Sequence, residues 1–130
     1  MPEENNLNKP GRKGLSRIFW AANYSWRGIC AGWKSEAAIR QELSLLIILF
    51  PAAFWLGTTT EQRLLLIAPC FLVVVTEFLN SAIEAAIDRI GPEMHELSGQ
   101  AKDMGSAAVL FSLILVLLSW SMIAWQRFIS

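Results

Sequence analysis

Hydrophobic and polar positions are distributed along this chain in blocks. Three apolar runs, over residues 43–60, 64–87 and 104–125, are each long enough to cross a bilayer as a helix. The first has eighteen residues and no charge, the lower limit for a crossing, and Pro51 is expected to kink it. The third has no charge at all. Ahead of them, Leu15, Ile18, Phe19, Ala22, Trp26, Ile29, Cys30 and Trp33 recur at helical spacing, with Arg12, Lys13, Arg17, Asn23, Arg27 and Lys34 as the polar share. Basic residues opposite Trp and Phe describe a helix lying in the membrane interface, although packing on protein gives the same pattern. Gly28 and Gly32 weaken or bend it. The pattern therefore predicts an all-α membrane protein with a disordered tail over 1–11 and one membrane domain over 12–130. That domain comprises a surface helix over about 12–35 and transmembrane helices over about 40–58, 62–88 and 102–126. Gly57 and three threonines make a tight connection, and Gly91 with Pro92 ends the helix of the second run.

The second run breaks its own rule. It contains Glu77, Asn80 and Glu84, and Asp88 follows on the same helical stripe. A carboxylate in hydrocarbon is costly, so such residues face a bundle interior or a polar cavity and mark a site. The plainer reading is a set of polar contacts that hold helices together.

Composition adds orientation. The 130 residues carry no net charge, but seven of the eleven Lys and Arg precede residue 41. The positive-inside rule then puts the N-terminus and the 88–103 loop in the cytoplasm, and the 57–63 turn and the C-terminus on the other side. Glu36, Glu84, Asp88, His95, Lys102 and Asp103 thus share the side that contains ATP. Cys30 and Cys70 read as packing thiols, a single histidine excludes zinc spacing, and no signal peptide is apparent.

Candidate chemistry follows from this placement. Glu77 and Glu84 are seven residues apart, about 10 Å along a helix, too far to share one metal ion. Glu84 suits a hard cation through oxygen. Glu77, deeper, is placed to take a proton from a lipid group. Asn80 between them can orient either. Lys102 and Asp103 open the third span, where a helix N-terminus plus an ammonium makes a phosphate site. The alternatives are a snorkelling anchor for Lys102 and a plain N-cap for Asp103. Glu36 is a second metal ligand or half of a surface pair with Arg40. Glu93 and His95 lie in a polar loop, either against a nucleotide or in water. No GxxxxGK[ST] loop, GxGxxG, HRD or DFG occurs, so any phosphate chemistry uses none of the usual nucleotide folds.

The string Glu77-Phe78-Leu79-Asn80-Ser81-Ala82-Ile83-Glu84-Ala85-Ala86-Ile87-Asp88-Arg89 resembles the signature of the prokaryotic diacylglycerol kinase family. His95-Glu96-Leu97-Ser98-Gly99, residues 101–108 from Ala101 through Lys102 and Asp103, Ala21-Ala22 with Tyr24-Ser25-Trp26, and Glu36-Ala37-Ala38 with Arg40-Gln41-Glu42 match as well. The likeness runs over about 15–127 without gaps. It implies a small kinase of the bacterial cytoplasmic membrane, usually a homotrimer with sites shared between subunits, that makes phosphatidate from diacylglycerol and MgATP. Carried over by position, Glu77 would be the base, supported by Asn80, and Glu36 and Glu84 would hold Mg2+. Arg17, Tyr24, Glu36, Glu84, Glu93, Met94, His95, Lys102 and Asp103 would contact the nucleotide. Along α-helical segments, Arg17, Ala21, Ala22, Asn23, Tyr24, Ser25, Trp26, Ala38, Ile39, Arg40, Gln41, Glu42, Trp55, Arg63, Glu77 and Ser106 would line the lipid site. Trp20, Asn23, Cys30 and Pro92 depart from the family pattern, and the two lost basic groups bear on headgroup contacts.

A polyprenol kinase fits the same carboxylates. A small proton-coupled transporter would need one carboxylate near the bilayer middle and no cytoplasmic set. A structural oligomer would tolerate amides at Glu77 and Glu84.

Overall fold

The computed structural model describes residues 13–130, and the expected tail over 1–11 lies outside the described residues, as does Arg12. Four helices follow one another: α1 Leu15–Ser35, α2 Ala37–Leu56, α3 Thr60–Ile90 and α4 Glu96–Phe128. The last three are long and apolar enough to cross a membrane. At 31 residues, α3 extends about 46 Å against a hydrocarbon thickness of about 30 Å, so its polar end reaches beyond the apolar layer.

A single extended residue, Glu36, joins α1 to α2. The last carbonyls of α1 have no helical partner there, and the Arg40 guanidinium takes two of them, at 2.8 Å to Trp33 O and 3.3 Å to Lys34 O. Gly32 lets this corner close on α3. A Cβ at Gly32 would stand 2.7 Å from Phe78 Cε1 and 2.8 Å from Ile39 Cδ1. Neither Gly28 nor Gly32 interrupts α1, which is continuous through both. Gly32 instead buys close approach.

The α2–α3 connection is held by Thr59 as N-cap, accepting from Gln62 N–H at 3.2 Å, and by Arg63 Nε donating to Gly57 O at 3.1 Å. Above it lies a small core of Ala53 and Leu56 from α2, Leu66 from α3 and Ile123 from α4. Trp120 Nε1 donates to Leu66 O at 3.1 Å across the α3–α4 seam. Farther up the same seam, Thr76 Oγ1 and Ser112 Oγ meet at 3.0 Å. Much of the remaining apolar surface of these helices faces outward, including Leu45, Ile47, Phe111 and Leu117. Facing water, a surface of this kind would be unfavourable; facing lipid or further copies of the chain, it is matched.

Two expectations about helix ends change. The third apolar helix begins at Glu96, not near residue 102, and its N-cap is His95, whose Nδ1 accepts from Leu97 N–H at 3.1 Å. Lys102 and Asp103 therefore sit in the second turn, where backbone amides are already paired. Asp103 is not the N-cap, and no helix N-terminus adds to Lys102. Sequence periodicity misplaced this start because Glu96, Ser98, Gln100, Lys102 and Asp103 are polar and mask a helix that begins outside the apolar layer. The Glu36–Arg40 pair also does not form, because Arg40 is committed to the α1 carbonyls.

Candidate active site

The stripe on α3 is real in three dimensions. Glu77 is buried, with 9% of its surface exposed, where α3 packs against its neighbours. One turn on, Asn80 Nδ2 donates to Glu84 Oε1 at 3.2 Å. Asn80 thus holds Glu84, and no hydrogen bond from it to Glu77 is formed. The i to i+4 spacing makes this contact geometrically natural on a helix.

Three further carboxylates act on Glu77. The charges of Glu84 and of Glu36, at the α1–α2 corner, both reach it, and Glu42 of α2 feels the charge of Glu77 in turn. One corner of the bundle therefore gathers acidic groups from the α1–α2 joint, α2 and α3, with no lysine or arginine paired to them among the described residues. Two buried oxygens, Glu42 Oε2 on α2 and Asn80 Oδ1 on α3, have no hydrogen-bond partner among the described residues. The family likeness implies for Glu42 only a lipid contact. Its position one residue before an eighteen-residue uncharged run was the available sign that it would be carried into the bundle.

Below Glu42 lies an apolar cavity of about 180 Å³ between Leu49 of α2, Cys70 and Val73 of α3, and Leu113 and Val116 of α4. Toward the other end, the α3–α4 connection frames a groove of about 440 Å³ lined by Asp88, Glu93, Met94, His95 and Lys102. Lys102 Nζ pairs with Asp88 Oδ1 at 2.9 Å across it. The groove brings together most of the expected nucleotide residues of the 88–103 segment, while Asp103 and Ser106 are exposed on α4.

Other expected residues stand apart within one chain. Arg17 and Tyr24 precede Glu36 by nineteen and twelve residues, about 28 and 18 Å along α1. Ala21, Ala22, Ser25 and Trp26 are exposed on the same helix with Tyr24, which packs against Trp20 at 6.4 Å, and Asn23 is half-buried. Trp55 and Arg63 occupy the opposite end of the bundle, with Arg63 fourteen residues, about 21 Å, from Glu77 along α3. Ile39, at 1% exposure, is packed inside the corner, Ala38 is half-buried, and Gln41 faces outward.

No three metal-binding side chains converge among the described residues. Magnesium does not require three, since it is commonly held by one or two carboxylates together with substrate phosphates. The acidic oxygens of Glu36 and Glu84, without histidine or thiol between them, are the donor type that ion takes. Cys30 and Cys70 are free thiols, and Cys70 Sγ donates to Leu66 O at 3.3 Å within its own helix.

The sequence matches the family model described as prokaryotic diacylglycerol kinase over residues 23–124. It is 50% identical over 115 residues to the diacylglycerol kinase of Escherichia coli K12, covering 88% of this chain and 94% of that one. Its identity to the diacylglycerol kinase of Pseudomonas aeruginosa is 46% over 113 residues, with coverages of 87% and 92%. For the diacylglycerol kinase of Helicobacter pylori 26695 it is 42% over 120 residues, with coverages of 92% and 90%. A match of this length, over the helices that carry the carboxylate corner and the charged groove, shows that the chain belongs to the prokaryotic diacylglycerol kinase family.

Proposed function

We propose that this chain transfers the γ-phosphoryl group of ATP to the free hydroxyl of diacylglycerol at the cytoplasmic edge of the bacterial inner membrane, yielding phosphatidate and ADP. Kinase activity toward diacylglycerol is what the family model and the relatives of that name support. The observation that carries the mechanistic reading is the acidic corner: a buried Glu77 on a membrane-spanning helix, with Glu84, held by Asn80, about two turns nearer the charged groove.

The lipid hydroxyl sits at headgroup depth, so a base on a helix can meet it while the acyl chains stay in the bilayer. Glu77 accepts the hydroxyl proton as the oxygen attacks the γ-phosphorus; the bond from that phosphorus to the β–γ bridging oxygen breaks, and ADP leaves. Phosphoryl transfer depends mainly on alignment and charge stabilisation. Lys102, released from Asp88, supplies an ammonium to the phosphates, and Met94 and His95 border the groove for the rest of the nucleotide. Glu36 and Glu84 are the residues that would hold Mg2+, which when bound neutralises phosphate charge. Burial of Glu77 and the apolar walls beside Glu42 keep water from competing with the lipid hydroxyl.

Arg17 and Tyr24 of α1 complete a site on a neighbouring copy, which accords with their distance from Glu36 within one chain. The outward-facing apolar surface supports a homotrimer embedded in lipid, with α1 on the membrane surface. The basic N-terminal region supports a cytoplasmic N-terminus and 88–103 segment, with the C-terminus in the periplasm.

The purified chain in mixed micelles should move label from [γ-32P]ATP into phosphatidate, and chelation of divalent cations should stop it. Label entering undecaprenol in preference to diacylglycerol would transfer the reading to a polyprenol kinase. Label in neither lipid would end it.

A further inference from the structure

We propose that Gly105, on α4, is a positioning residue for the metal-binding carboxylate of Glu84, acting through the side-chain amide of Asn80. The inference rests on the reading of Glu84 as a metal ligand and adds to it a residue on a different helix that touches neither substrate nor ion.

Gly105 is buried where α4 crosses α3. A Cβ built on it would overlap Asn80 Oδ1 and stand 3.3 Å from Asn80 Cγ and 3.7 Å from Asn80 Cα. The missing side chain is therefore the space the Asn80 amide oxygen occupies. That oxygen is buried and accepts no hydrogen bond among the described residues. Its orientation is nevertheless determined, because Nδ2 faces Glu84 Oε1 at 3.2 Å. Turning the amide over would set an oxygen against a carboxylate, so the donor must point to Glu84 and the oxygen must point to Gly105. This is the one hydrogen bond that holds the Glu84 carboxylate among the described residues. A methyl group at residue 105 forces the amide to swing away, and the swing breaks that bond. Loss of an outer partner of a metal ligand weakens metal binding by about 10–100-fold.

Glycine is common where helices cross in membranes, and a packing role alone would also place it here. The two roles separate in a double-mutant cycle. Binding of Mn2+ with the non-hydrolysable analogue AMP-PCP is measured on the full chain in detergent by the electron paramagnetic resonance of free Mn2+. Gly105→Ala and Asn80→Ala should each weaken binding by about tenfold or more. The double variant should bind no more weakly than Asn80→Ala alone, because the methyl then enters space the amide has vacated. Gly28→Ala, where a Cβ meets nothing within 4 Å, should bind as the native chain does. Additive losses, or native binding by Gly105→Ala, would overturn the proposal. If Gly105→Ala does not fold but the double variant does, the clash with Asn80 stands; if neither folds, Gly105 is a packing residue and the proposal fails. Glu84→Gln tests the underlying reading separately: unchanged Mn2+ binding there removes Glu84 as a ligand, whereas weakened binding there with native binding by Gly105→Ala removes only the role of Gly105.

Discussion

Replacing Glu77 by glutamine separates chemistry from architecture at one atom. The amide has nearly the volume of the carboxylate, so no cavity opens at a residue only 9% exposed. Basicity is lost, and general-base assistance is worth about 10²–10⁴ in rate, or about 2.7–5.5 kcal/mol in the barrier. Stability should move the other way. Glu84 lies seven residues on in α3, about 10 Å along the axis, and two unit charges at that separation repel by about 1.7 kcal/mol at an effective dielectric of 20. Glu36 adds repulsion of the same sign. The amide removes these terms, so the variant should unfold at the same temperature as the native chain or a higher one. The assay pairs kcat for label transfer from ATP to diacylglycerol, both saturating, with thermal unfolding of the same detergent preparation without added metal. A glutamine variant that keeps more than about a tenth of kcat would refute Glu77 as the base. A loss of activity accompanied by a lower unfolding temperature would refute the electrostatic account of the corner.

Lys102→Ala should raise KM for MgATP by about tenfold or more with a smaller change in kcat, because a charge-assisted phosphate contact is lost. Asp88→Asn, which frees the ammonium now bonded at 2.9 Å, should lower KM or leave it unchanged, and a large rise would show that Asp88 itself binds nucleotide. Arg40→Ala should loosen the α1–α2 corner by about 1–2 kcal/mol, since two terminal carbonyls lose their partner, and should appear as faster proteolysis near residues 33–40. Trp120→Phe should cost about 0.6 kcal/mol, the mean for polar contacts between membrane helices, because Leu66 O keeps other partners; reversible unfolding in mixed micelles reads it.

Helix number and class were legible in the amino-acid pattern because water and lipid impose it residue by residue. An uncharged run of eighteen or more residues has few alternatives to a membrane helix, and polar groups at 77, 80 and 84 fall on one face whatever the helix packs against. Local punctuation was equally plain at Gly57, Thr59 and Gly91, where backbone geometry and capping act within a few residues. The family likeness arose from the same ordered residues. The start of α4 was not legible, since a polar helix above the membrane looks like a loop until its His95 cap is seen.

Partnership between helices lay beyond the linear chain. By spacing alone Asn80 can serve either neighbour; only packing shows that it bonds Glu84 and lodges its oxygen against Gly105, twenty-five residues away. Arg40 looked available to Glu36 at i+4, and the corner gives it to the carbonyls of α1 instead. Glu42 enters the acidic corner because α2 lies against α3. The physical reason is one of range. Hydrophobic period and capping are decided by contacts a turn or less apart, whereas charge clustering and close helix approach depend on which faces meet after the chain has folded back on itself.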